Sequence, residues 1–383
     1  MRMCKVLILV VVLGIAPPFG LLAQTADEQD PAQRFSASNP ASTIIFDHAP
    51  WDTFLKGTVF AVGKSRSRLG RAKLNSYVES HITYGNSSPS RYEGNRLLFH
   101  MLDDDLEKFL TIYQANLQAL THQIPLSRLN KDEQLAFWLN LYNATVIKML
   151  VDEYPVSKLK PFRFGSSRQT AFWQQKVLNI EGVPLSLLDV ERILIANWQD
   201  PMIIYGLFQG SIGGPSLSNT AYSHANVHQL LKKYGDEFVN SNRGYRVRDD
   251  VAQVSQFYEW MFDAFETEDA VFAHIRSLAT APMNKGLEGA TGIKFKLYDW
   301  YIADLLEGRF HSGRDSSFAA LVGNVDQEFI DYFRDNDFLK RLPPQAINFI
   351  MGVLENNDVP GRTPVVTVEP CPAEGDCIPD LQQ

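Results

Sequence analysis

The stretch from Asn130 to Pro155 constrains this chain more than any other. Asn130 is suited to cap a helix, with Asp132 and Glu133 in the first turn, where negative charge suits the helix dipole. Gln134-Leu135-Ala136-Phe137-Trp138-Leu139-Asn140-Leu141-Tyr142-Asn143-Ala144 follows, and Pro155 stops the helix. A helix apolar on nearly every face has to be surrounded by its own domain, so this one is predicted to run through the core. Its polar residues are therefore informative. At about 100° per residue, Glu133 and Asn140 fall within roughly 20° of each other, with Asn143 about 60° further round. A buried amide without partners costs roughly 1–3 kcal/mol. Asn140 and Asn143 therefore either line a cleft or pin neighbouring loop backbone. The second reading is favoured, because most side-chain hydrogen bonds go to backbone or water.

Leu106 to Leu120, Val251 to Phe265 and Phe329 to Val353 also read as helical. Lys176 to Ile180 and Val183 to Leu185 flank Glu181-Gly182, an acid-glycine pair that predicts a tight hairpin. Met202 to Phe208 is an apolar run beside a glycine-rich stretch and reads as a buried strand. Tyr245 to Arg248 and Ile293 to Tyr298 are shorter strand candidates. The expected fold class is α+β, a helix-rich single domain with a small antiparallel sheet.

The first residues set an expectation about compartment. Arg2 and Lys5 precede an apolar run from Val6 to Ile15, then Pro17, Pro18 and Gly20 break it, and Ala23 offers a small residue for cleavage. That order predicts a signal peptide over residues 1–23 and a periplasmic or secreted protein. The alternative is a membrane anchor, for which the run is short against about 30 Å of hydrocarbon. No later stretch reads as a membrane span. Residues 24–43, rich in Asp, Gln, Ser, Ala and Pro, read as a flexible leader, 44–355 as the globular domain, and 356–383 as a tail. Removing the signal takes two positive charges from a net −8. Such acidity argues against nucleic acid as a partner, since that binding rests on Lys and Arg neutralising phosphates. Cys371 and Cys377, with Pro and Gly between them, read as a disulfide loop in an oxidising compartment. A metal or redox pair is the alternative, and the spacing is not that of Cys-x-x-Cys.

Motifs with chemical content are few. Gln209-Gly210-Ser211-Ile212-Gly213-Gly214-Pro215-Ser216, with a helix expected from about Ser218 or Asn219, could present backbone N–H groups to an anion or oxyanion. It lacks the Gly-Lys-Ser/Thr ending of a P-loop, and Gln209 stands where a nucleophile elbow has its first glycine. His224 and His228 stand four apart, expected on one helix face, with no glutamate after His224 and no third ligand obvious in sequence. Asp103-Asp104-Asp105 reads as a helix start rather than a calcium loop. Neither a metal nor a cofactor is expected from these patterns.

Several segments together resemble DUF547, a family of unknown function. The likeness is carried by Glu133 to Ala144, by Gly182-Val183-Pro184-Leu185-Ser186-Leu187-Leu188-Asp189-Val190-Glu191, by the Tyr205-to-Leu217 loop and by Lys296-Leu297-Tyr298-Asp299-Trp300. Asp47-His48-Ala49-Pro50-Trp51 fits more loosely, and the likeness runs roughly from Ile44 to Phe310. The resemblance implies an often-exported bacterial protein, with a cysteine-peptidase-like or transglutaminase-like fold as an analogy. It also implies a histidine and two cysteines around the glycine loop, where this chain has Ile204, Gln209 and Gly214. A thiolate and its histidine base cannot be replaced by these residues with the chemistry intact.

The sequence therefore leans towards a non-catalytic, exported protein that binds an envelope ligand or protein. The candidate cleft residues are Glu133, Asn140, Asn143, Glu191, Gln209 and Asp299. The alternative is a hydrolase or acyl-transfer enzyme with Glu133, Glu191 and Asp299 as acids or bases and Gln209 to Gly214 as oxyanion site. In a third reading the motifs are scaffold, and function sits in surface loops such as Ser65–Arg71 or Ser87–Glu93.

Overall fold

A computed structural model of the chain describes residues 30–63, 86, 88–99, 102–167 and 170–308. The expected signal stretch, the Ser65–Arg71 loop, the Phe329–Val353 helix and the Cys371/Cys377 pair lie outside the described residues. The order of elements is α1 (Pro31–Arg34), α2 (Ala49–Thr58), β1 (Val59–Phe60), β2 (Arg96–Leu97), α3 (Asp104–Gln123), α4 (Lys131–Asp152) and α5 (Lys160–Phe164). Then come β3 (Leu178–Ile180), β4 (Val183–Leu185), α6 (Leu187–Trp198), α7 (Val227–Val239), β5 (Tyr245–Arg248), β6 (Val251–Ser255) and α8 (Gln256–Trp260). Last are α9 (Glu268–Leu278), α10 (Ala281–Leu287) and β7 (Ile293–Leu297). This is the α+β architecture that the sequence predicts.

Helix α4 is the axis of the core. Asn130 caps it by accepting the Glu133 N–H at 2.8 Å, and every residue from Glu133 to Ile147 is buried. Phe35, Phe46 and Phe137 pack edge-on around Trp138 and its neighbours. Asp103 caps α3 through the Leu106 N–H, as its place at a helix start predicts. The hairpin β3–β4 turns on Glu181 and Gly182, both at positive φ, the geometry of the two-residue hairpin turns.

Four expectations are corrected. Met202–Phe208 is not a strand. Asp200 accepts the Met202 N–H, Pro201 follows, and residues Pro201–Gly206 wind into a 3₁₀ helix. Val251–Phe265 is not one helix, because Val251–Ser255 pairs on both sides as β6, and the helical part starts at Gln256. The helix after the glycine loop begins at Val227, well beyond Ser218, so His224 precedes it. The leader is docked from Pro31 onward. Phe35 is buried against Trp138, Asn197 Nδ2 donates to Ala32 O and Phe35 O, and Gln134 Nε2 donates to Ala37 O. Composition alone could not show that Phe35 has a slot waiting for it. The sheets are small, and one pairing, β6 with β7, is parallel.

Ser186 opens α6 with a reciprocal capping box: its hydroxyl accepts the Asp189 N–H, and the Asp189 carboxylate accepts the Ser186 N–H. Ser186→Ala is expected to lower stability by about 1 kcal/mol. Urea denaturation checks this, and an unchanged midpoint would show that the box contributes nothing.

Candidate functional site

Tyr142 on α4, Arg163 on α5, Trp173, Glu191 on α6 and Gln209 meet in one buried network. Arg163 holds Glu191 with both terminal nitrogens, at 2.6 and 2.9 Å, and Nη1 also reaches Gln209 Oε1 at 3.1 Å. The Tyr142 hydroxyl donates to Glu191 Oε1 at 2.7 Å and accepts from Gln209 Nε2 and Trp173 Nε1, each at 2.9 Å. Burial alone would lower the guanidinium of Arg163, but the carboxylate of Glu191 more than reverses it, so the arginine stays charged. Burial, with Glu191 adding to it, holds the Tyr142 hydroxyl protonated, well above its ordinary range. Every acid, base and amide here is committed to another.

The remaining sequence candidates sit elsewhere. Asn140 Nδ2 donates to Tyr222 O at 2.8 Å, and its Oδ1 accepts the Tyr222 N–H at 3.0 Å. Asn143 does the same to Gly206 O and the Phe208 N–H, at 3.0 and 3.1 Å. Both amides pin loop backbone to α4. Asp299 lies beside the glycine loop, where Gly213 N donates to its carbonyl at 2.9 Å, but its carboxylate accepts from Asn86 Nδ2 at 2.7 Å and from Ser90 Oγ at 3.3 Å. Glu133 accepts the Phe46 N–H at 2.8 Å and faces His48 and His224. So Glu191 and Gln209 meet, whereas the carboxylates of Glu133 and Asp299 are each held by other partners. His228 pairs with Asp132 at 2.9 Å, so the two histidines four apart serve different acids. Among the described residues, no three His, Cys, Asp or Glu side chains stand closed around a common point.

Above the Arg163 network lies an aromatic surface that the sequence did not single out. Phe164 is 50% exposed and packs edge-on to Trp260 at 5.3 Å and Trp300 at 5.6 Å. Tyr298 lies 4.6 Å from Trp260 and 4.4 Å from Trp300, ring centre to ring centre. Arg163 lies 5.3 Å from the centre of the Trp260 ring, which joins the buried charge to the surface rings. Tyr298 is locked by a 2.6 Å hydrogen bond to Ser211. These rings come from α5, α8 and the segment after β7, so no local spacing could group them. Tyr298 and Trp300 flanking Asp299 were the available signal.

Residues 126–239 match the family described as Protein of unknown function, DUF547. The chain carries a DUF547 segment. The matched segment runs from the turn before α4 to the end of α7, within the span that the motifs suggested. It holds Tyr142, Arg163, Glu191 and Gln209 but not Trp260, Tyr298 or Trp300. No curated protein and no solved structure matches the chain. The positions at which the DUF547 resemblance implies histidine and cysteine are structural here. Ile204 is fully buried, and a Cβ at Gly214 would fall 2.9 Å from that of Gln209. Among the described residues no helix is long and apolar enough to cross a membrane.

The buried acids and imidazoles also set a pH response. Burial pushes the Asp304 carboxyl up to about 6, and it holds His48 and His274 down at about 4. Over that interval the folded chain keeps the Asp304 proton that the unfolded chain releases, so this group's contribution falls as pH rises. Each histidine does the reverse, being neutral when folded and protonated when unfolded. With two histidines against one carboxyl, stability is expected to rise between about pH 4 and 6.5, and Asp304→Asn is expected to steepen that rise. Urea midpoints across the interval check the sign, and a fall would contradict it.

Proposed function

We propose that this protein is exported and binds an envelope ligand or protein partner without turning it over, through the face formed by Phe164, Trp260, Tyr298 and Trp300. The observation that carries the reading is Phe164, a half-exposed ring held against two partly exposed tryptophans. Aromatic side chains of this kind dominate recognition surfaces, because they offer large apolar area at low conformational cost. The charged groups beneath them satisfy one another, which suits a rigid support for the rings better than a reaction centre that must exchange protons. The turnover reading would need Glu191 or Gln209 to leave the Arg163 fork.

Titration of the protein with cell-wall glycan fragments, peptides and purified envelope proteins, followed by tryptophan fluorescence, tests the proposal. Binding is expected for one of these classes. Phe164→Ala is expected to weaken it by about tenfold or more, the loss of a ring anchor. Its thermal midpoint should stay near that of the parent, since Phe164 is half exposed. A bound ligand that Phe164→Ala leaves unaffected would move the site elsewhere.

A further inference from the structure

Two of the three stretches that build the aromatic face share a second property, their charge. From Tyr154 to Ile180 the chain has no acid but holds Lys158, Lys160, Arg163, Arg168 and Lys176. From Gly289 to Tyr298 it again has no acid and holds Lys294 and Lys296. The whole chain carries a net −8, so both runs go against its average. Arg163 is neutralised by Glu191, and Lys176 pairs with Asp189 at 2.6 Å. Lys158, Lys160, Lys294 and Lys296 are exposed, and among the described residues no acid pairs with them. The two runs lie side by side. Leu159 N donates to Trp300 O at 3.0 Å, and Lys158 Nζ stands 5.2 Å from the centre of the Tyr301 ring. Lys160 and Phe164, four apart on α5, share a side of that helix. Lys296 stands two residues before Tyr298, while Asp299 turns its carboxylate away to Asn86 and Ser90. Glu259, exposed beside Trp260, is an opposing charge that the four lysines outnumber.

The spacing of the rings says what shape of partner suits them. Tyr298 and Trp300 stand 4.4 Å apart, Trp260 and Tyr298 4.6 Å, and Trp260 and Trp300 5.2 Å, centre to centre. Phe164 closes the group at 5.3 and 5.6 Å from the two tryptophans. A sugar or proline ring clasped between two aromatic rings needs about 7 Å, a contact of about 3.5 Å on each side. No pair here is that open. The rings form a closed cluster that a partner meets from outside, with the half-exposed Phe164 foremost.

We propose that this face docks on the surface of an anionic phospholipid bilayer, with the rings at the headgroup boundary and Lys158, Lys160, Lys294 and Lys296 over the lipid phosphates. The inference rests on the binding face described above and names its ligand. Tryptophan and tyrosine favour that boundary, where an apolar body and a polar edge are both satisfied. Each lysine near an anionic surface adds attraction, and together they turn the acid-free side of an otherwise acidic protein towards it. A bilayer is broad and yielding, so a closed cluster of rings needs no matching slot. The docking is peripheral, since among the described residues no helix is long and apolar enough to cross a membrane.

The test uses the full chain and two kinds of vesicle, phosphatidylcholine alone and phosphatidylcholine with about one third phosphatidylglycerol. The apolar stretch Val6–Ile15 is common to every protein compared, so parent and variants differ only at the substituted positions. The parent is expected to bind the anionic vesicles about tenfold or more tightly than the neutral ones, with a shift of tryptophan emission to shorter wavelength. High salt is expected to shrink the difference. Lys158→Glu with Lys160→Glu is expected to abolish the preference, and Phe164→Ala to weaken anionic binding by about fivefold. Lys108→Glu, the same charge change on α3, is expected to bind as the parent does. Equal binding of both vesicles by the parent, or a preference that the double reversal leaves intact, overturns the proposal. If a soluble glycan or acidic peptide binds in a way that Phe164→Ala weakens, while the vesicles are not distinguished, the face stands and only the bilayer is lost. If Phe164→Ala affects neither soluble ligand nor vesicle, both readings fail.

Discussion

Arg163→Ala is expected to destabilise the protein by about 3–5 kcal/mol, the cost of leaving a buried carboxylate without its cation. The side chains of Arg163 and Glu191 are each only 6% exposed, and the guanidinium carries both carboxylate oxygens as well as Gln209. Once it is gone, Glu191 retains only the Tyr142 hydroxyl, and Gln209 Oε1 loses its donor. Replacing both charges by apolar residues of similar volume, Arg163→Met with Glu191→Leu, is expected to cost far less than either single truncation. Urea denaturation of Arg163→Ala, Glu191→Ala and the double variant separates the cases. A double variant as damaged as the sum of the two single variants would show that Arg163 and Glu191 are not energetically coupled and would contradict this account.

Asn140→Ala is the second large effect, at about 2–4 kcal/mol, because one amide serves two backbone groups of Tyr222 and both are orphaned together. Asn140→Asp keeps the acceptor for the Tyr222 N–H but turns the donor towards Tyr222 O into a second acceptor. It is expected to be at least as damaging as alanine. Chemical denaturation gives the size, and hydrogen exchange at residues 218–226 gives the location. Protection lost across the whole chain and not first in that segment would contradict a local pin. Asn143, which does the same for Gly206 and Phe208, should behave alike.

The residues most legible in sequence are those whose neighbours in space are neighbours in chain. The Asn130 cap, the all-round burial of α4, the Asp103 start of α3 and the Glu181-Gly182 hairpin each rest on short-range chemistry. Even the role of Asn140 and Asn143 could be framed correctly, since an amide on a buried helix has few alternatives to backbone. Met202–Phe208 misled because an apolar run does not distinguish a strand from a buried 3₁₀ helix, and Asp200-Pro201 decided the matter. Val251–Ser255 misled because its parallel partner β7 lies some forty residues on. Arg163 carried no signal at all. It stands alone in a five-residue helix, and only the fold brings Glu191, Gln209 and Trp260 around it. The aromatic face was illegible for the same reason, being assembled from three segments.

The central claim is that the rings of Phe164, Trp260, Tyr298 and Trp300 are a binding face and that the polar network beneath them is its support. The most direct measurement is a pair of binding isotherms for one envelope ligand, with the parent and with Trp300→Ala, each checked for an unchanged fold by far-ultraviolet circular dichroism and thermal midpoint. The account predicts saturable binding by the parent, a loss of about tenfold or more in the variant, and recovery of the ligand unaltered. Equal affinity in both proteins, or a ligand returned cleaved or transferred, would contradict it.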